Sequence, residues 1–148
     1  MRISETFRVQ APPEAVFDYM TEPSNLAQWQ TTKTAVEQLT DGPPRLGTRV
    51  RERTKPRGAK EFEQIVEFTE FERPNGFHVH IVEGPQPIDG TWTLRPDSDG
   101  TIVSFVAEGH LRGPLRFLEP LVKRAMAREF AGYHRTLAGN LASAPPRR

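Results

Sequence analysis

The chain contains no cysteine. Disulfides, thiolate nucleophiles and cysteine-ligated metals are therefore excluded. It contains no apolar run near the roughly 20 residues that a bilayer-spanning helix needs. The opening MRISETFRVQ has no apolar core of the secretory type, so a cytoplasmic location is expected. It has little net charge, +1 over 148 residues. No global field draws it to nucleic acid or to a membrane. There is no glycine-rich phosphate loop and no serine in a G-x-S-x-G turn. No period of 20–50 residues repeats. Hydrophobic residues make up only 36%, and mean hydropathy is −0.59. Prolines (14) and glycines (11) are plentiful and supply many turns. The length suits one domain, 1–142, which would bury about 68–70% of its unfolded surface. A frayed tail is expected over 143–148.

What is present begins with alternation. Ile3, Phe7 and Val9 share one strand face, and Arg2, Ser4, Thr6 and Arg8 the other. Pro12 and Pro13 then set up a helix start with Glu14 in its first turn. Val16, Phe17 and Met20 give that helix an apolar face. Pro23 ends it, and Ser24 can cap a second short helix ending near Trp29. Strands follow at Thr34–Leu39, Thr48–Thr54, Glu61–Phe68, Phe77–Val82, Gly90–Arg95 and Thr101–Glu108. Turn signals lie between them, including Pro96-Asp97-Ser98-Asp99-Gly100. After Arg112-Gly113-Pro114 the period changes from 2 to 3.6. A lead turn is expected before Pro120, then a main helix to about Leu141. Projected at 100° per residue, Leu115, Leu118, Val122, Met126, Phe130, Tyr133, Leu137 and Leu141 fall in one arc. Arg116, Arg124, Arg128, His134 and Arg135 fall opposite, where water is expected. The order β-α-α-β-β-β-β-β-β-α reads as an α+β fold with an antiparallel sheet.

The run from Ala11 to Trp29 resembles the polyketide cyclase/dehydrase group of the START-like (helix-grip, SRPBCC) superfamily. The pattern there is P-x-x-x-V-F-x-Y-x-x-x-P-x-N-x-x-x-W. It is met by Pro12 or Pro13, Val16, Phe17, Tyr19, Pro23, Asn25 and Trp29. Gly90-Thr91-Trp92-Thr93-Leu94-Arg95-Pro96 with Asp99-Gly100-Thr101, and Gly109-x-x-Arg112-Gly113, extend the likeness over about residues 2–141. The resemblance implies a curved sheet of six or seven strands around the C-terminal helix, with space left between them. A hydrophobic or amphipathic small molecule (a lipid, polyketide or aromatic compound) would occupy that space. No cofactor is implied.

Hairpin charge pairing indicates which residues face inward. Setting Arg53 opposite Glu61, and Arg51 opposite Glu63, puts Val50, Glu52, Phe62, Gln64 and Val66 on the other face. An inward Glu52 needs a partner, a ligand or a protonated state; otherwise it sits solvated at the rim. The candidate lining is Trp29, Glu52, Phe62, Gln64, Trp92, Phe105, Met126, Phe130 and Tyr133. Ordinary core uses the same residue types, so core and lining are not separable here. Catalysis on a bound polyketide would draw on Glu52, Gln64, Glu129 or Tyr133. A third possibility is an interaction module with a vestigial cavity. His78 and His80 share a strand face, with His110 or Glu83 as a third donor. They match no standard zinc spacing, and no metal site is assigned. The cations from Arg45 to Lys60 face the acids of the next strand, so no nucleic-acid partner is expected. Arg116, Lys123, Arg124, Arg128 and Arg135 could meet anionic lipid or a partner, but they read first as a solvated helix face. Stable membrane insertion is not expected, and the oligomeric state is not legible.

Overall fold

A computed structural model describes residues 1–142; the expected frayed tail lies outside the described residues. Strand β1 (Arg2–Val9) buries Ile3 and Val9. Helix α1 (Pro13–Thr21) starts on Pro12 and Pro13, carries Glu14 in its first turn, and buries Val16, Phe17 and Met20. A 3-10 turn (Pro23–Asn25) leads into α2 (Leu26–Trp29). Ser24 does not cap it. Its hydroxyl donates instead to Glu22 Oε1 at 2.8 Å, because the 3-10 turn is already under way at that position. Then come β2 (Lys33–Gln38), β3 (Arg49–Thr54), β4 (Phe62–Glu72), β5 (Gly76–Glu83), β6 (Ile88–Asp97) and β7 (Gly100–Gly109). A second 3-10 turn (Gly113–Leu118) precedes α3 (Glu119–Ala142). The expected element order is the order found. The seven strands form one antiparallel sheet, β1-β7-β6-β5-β4-β3-β2, in an α+β helix-grip arrangement.

Two strand details differ from expectation. Arg53 lies opposite Glu63, and Arg51 opposite Ile65, a slip of two residues. A slip of two keeps every side chain on its face. The expected ion pairs therefore persist diagonally, with Arg53–Glu61 and Arg51–Glu63 both at 3.8 Å. These exposed pairs add little stability. Pro96 lies within β6 rather than in a turn. The β5–β6 ladder covers only Gly76–Val79 against Thr93–Gly90, so Pro96 faces no strand on that side and its missing N–H costs nothing. The turn shrinks to Ser98-Asp99, with Ser98 at φ 56°.

At the other end of that short ladder, β5 and β6 part. The Ile81 N–H donates to the Asp89 side chain at 3.1 Å instead of to a strand. The core fills the opposite end of the concave face. Phe17, Trp29, Phe68, Phe77, Trp92, Phe105 and Leu137 are buried there in edge-on and stacked contacts.

The last helix corrects two expectations. It packs chiefly on β1 and α2, so only its second half is covered. Tyr133, His134 and Leu137 are its buried residues. Leu115 and Leu118, expected in the apolar arc, lie exposed in the preceding 3-10 turn, where the 100° projection no longer holds. His134, expected in water, is 1% exposed. The covered stripe is turned toward β1, and a polar residue type hid that from the projection.

Candidate functional site

Because α3 leans on the β1 side, the inward residues of β4 to β6 nearest its first half are left half-buried. These are Phe62 and Gln64 on β4, Val79 and Ile81 on β5, and Ile88 and Gly90 on β6. Met126 and Phe130 face them from α3, also half-buried. Together they line an incompletely covered strip, the candidate cleft, between the packed core and the end of the sheet where β5 and β6 part. Phe130 stacks on Phe105 at 4.7 Å, and Phe105 lies 4.8 Å from Trp92. Gly90 is required at this point. A Cβ there would sit 2.9 Å from the Trp92 ring.

The β2–β4 wall of the cleft is polar. The Glu52 side chain is buried, with Lys33 Nζ 3.1 Å from its Oε1. Gln64 Nε2 donates to the same carboxylate oxygen at 2.8 Å. Lys33 also donates to the Thr54 hydroxyl at 3.0 Å. Glu52 is therefore not a solvated rim residue. A cation and an amide compensate its burial. Sequence reasoning missed Lys33, although an inward carboxylate was itself the signal that a cation must be near.

On the helix side, Tyr133 hydrogen-bonds both Thr32 and Glu129. Thr32 also donates to Glu129 at 2.9 Å. Burial, then the Glu129 carboxylate, pushes the Tyr133 pKa well above the ordinary phenol value. Glu52 adds to that rise, which links the two polar groups across the cleft. Tyr133 thus stays a protonated donor and does not serve as a base.

Trp29, Trp92 and Phe105 sit deeper, in the closed inner end. Trp92 Nε1 donates to His134 Nε2 at 3.1 Å. His134 Nδ1 is bonded to Glu5 on β1. This fixes a neutral imidazole with the proton on Nδ1. Burial lowers the His134 pKa, against the pull of Glu5. Trp29 packs edge-on to Trp92 and stacks on His134. Its Nε1 is the buried side-chain polar atom without a partner among the described residues.

His78 and His80 lie on the outer sheet face, away from the cleft. His78 bonds Thr91 at 2.6 Å, and both histidines reach Asp89 Oδ2, at 3.3 and 2.9 Å. Their bonds and the Ile81 N–H hold the Asp89 carboxyl below its usual range despite partial burial, which opposes this. An open groove of about 740 Å³ passes these residues and is also separate from the cleft. Among the described residues, no three His, Cys, Asp or Glu side chains are arranged to hold a metal ion.

A sheet that grips one long helix beside a half-open cleft defines a class of ligand-binding folds. Residues 1–144 match the family described as polyketide cyclase / dehydrase and lipid transport, and the chain belongs to that family. Solved structures share the fold. A Thermus thermophilus protein superposes with a TM-score of 0.84 at 22% identity, covering 97% of this chain and all of that one (100%). A START superfamily protein from Mycobacterium smegmatis gives 0.82 at 16% identity, over 95% and 97% of the two chains. The Aha1 dimer from Colwellia psychrerythraea gives 0.68 at 14% identity, over 99% of each. No curated protein matches the chain in sequence. Among the described residues, no helix is long and apolar enough to cross a membrane.

Proposed function

We propose that the protein binds a hydrophobic or amphipathic small molecule in the cleft between the sheet and the first half of α3. One observation carries this reading. A half-buried apolar strip (Val79, Ile81, Ile88, Met126, Phe130) runs into a buried polar wall (Glu52, Lys33, Gln64) faced by the Tyr133 hydroxyl. An amphipathic guest fits such a surface with its body on the strip and its polar end on the wall. Phe62 flanks the open end. Trp92 and Phe105 form the closed end, with Trp29 behind them. Lipids, polyketides and aromatic compounds meet this description.

Native mass spectrometry of protein purified from its own host tests for a retained guest. A fluorescent naphthalene sulfonate supplies a general titrant. Met126→Trp fills the strip and is expected to weaken titrant binding at least about tenfold, with the melting temperature little changed because the site is half-open. Unaltered binding in that variant would remove the cleft from consideration and leave the interaction-module reading.

A second reading is favoured by the protonated Tyr133 held between Thr32 and Glu129. In a cyclase or dehydratase, that phenol would turn its one O–H from Glu129 to a substrate carbonyl, and the released Glu129 carboxylate would take the α-proton as the carbonyl enolises. Tyr133→Phe separates the two. A binding protein loses affinity, about five- to tenfold for one hydrogen bond. An enzyme loses turnover at unchanged affinity. A variant equal to wild type in both removes Tyr133 from the site.

A further inference from the structure

Leu115, Phe117, Leu118 and Leu121 are 40%, 76%, 49% and 63% exposed, the densest run of bare large apolar side chains in the described residues. They occupy the second 3-10 turn and the start of α3, beside the open end of the cleft. Leu118, Leu121 and the exposed Ala125 continue the helix face next to Val122 and Met126, so the apolar arc is wider than the interior covers.

The charges around this strip are mostly positive. Arg112, Arg116, Lys123, Arg124 and Arg128 fall within residues 112–128, against a single acid, Glu119. Glu119 lies 3.3 Å from the Met1 ammonium and is thereby neutralised. None of the five cations has an ion pair among the described residues. Arg116 lies over the Phe117 ring at 4.8 Å, which keeps its charge beside the apolar tip. The β3–β4 hairpin, at the same end of the sheet, adds Lys55, Arg57 and Lys60. Glu61 and Glu83 lie at that end too, so the excess of cations is greatest along residues 112–128.

We infer that this end of the domain docks reversibly on an anionic lipid bilayer. Phe117 and Leu121 would enter the headgroup–acyl boundary, and the arginines and lysines would meet lipid phosphates and carboxylates. A second copy of the chain fits less well. A twofold contact would bring the same cations face to face. The docked face is continuous with the cleft, so a lipid-like guest would pass between bilayer and cleft without crossing water. That last step rests on the function proposed above; the docking does not.

The test is co-sedimentation with vesicles of phosphatidylcholine alone, or with about a third of the lipid replaced by phosphatidylserine. Wild type is expected to bind the mixed vesicles only, and to release as salt rises. Phe117→Ser with Leu121→Ser should weaken binding at least about tenfold. Arg124→Glu with Arg128→Glu should do the same. Both sites are exposed, so circular dichroism and melting should match wild type. The titration of the cleft in vesicle-free solution should also be unchanged, which separates a failure of docking from a failure of the cleft. Wild type left in the supernatant with both vesicle types would overturn the inference. So would serine variants that bind like wild type. Concentration-dependent self-association abolished by the serine variants, with no vesicle binding, would overturn it in favour of a second copy.

Discussion

Lys33→Met is expected to cost about 3–5 kcal/mol of folding stability. It strands the Glu52 carboxylate in a buried wall with only Gln64 to bond it. For a chain of this length that corresponds to a fall of roughly 10 °C in melting temperature. Adding Glu52→Gln to Lys33→Met removes the stranded charge and keeps a hydrogen-bond acceptor for Gln64. Most of the loss should then return. Thermal melts of wild type, the single variant and the double variant check this. A single variant within a degree or two of wild type would mean that water already reaches Glu52. The pair is enclosed, so its effect should change little with salt, unlike the exposed Arg–Glu pairs of the outer face.

The second large effect concerns His134. Replacing it by leucine leaves the Trp92 indole N–H without its acceptor and removes the partner of Glu5. The buried indole and the half-buried carboxylate each lose a bond, which gives about 1–4 kcal/mol. The pH dependence is more specific. The folded-state pKa of His134 lies below its ordinary 6.5, because burial disfavours the imidazolium more than Glu5 favours it. As pH falls through 6.5 the unfolded chain takes up this proton and the folded chain does not. The unfolded state then binds more protons, so stability drops toward acid. The contribution is whole above 6.5 and is lost as pH descends toward the folded value. The facing groups are Glu5 from β1 and Trp92 from β6. Asp89 and Asp99, held below their ordinary 3.8, lose their contributions only in stronger acid. Denaturant midpoints should therefore fall between pH 7 and pH 5 in wild type and fall less in His134→Leu. Equal slopes would refute the assignment.

These two residues also mark where sequence stopped being informative. Period-2 alternation located the strands, and proline placement located α1, α2 and the start of α3, because those signals are local. The face of Glu52 and Gln64 was legible from charge pairing, and survived a register slip of two since the pleat repeats every two residues. Lys33 was not legible. It follows a turn, and nothing local says that its ammonium crosses to β3. His134 was misplaced because a projection reads polarity, whereas the tilt of α3 toward β1 is a tertiary fact. Leu115 and Leu118 escape the projection for another reason, since a 3-10 turn does not follow its 100° step. Of the candidate lining, Met126, Phe130, Phe62 and Gln64 are half-buried, while Trp29, Trp92 and Phe105 lie in solid packing. Aromatic residues serve both settings, and only their neighbours distinguish them.

The four-pair ladder between Gly76–Val79 and Thr93–Gly90 is the shortest in the sheet. It acts as a seam. On one side stand β6, β7 and β1 with the helix seated on them; on the other stand β5 to β2 with Glu52 and Gln64. Parting the two panels there separates fewer paired residues than at any other junction. An oversized guest would widen the cup along this line only by parting Phe77 from Trp92, whose rings stack 5.1 Å apart across it, so the aromatic floor sets how far the cup can open.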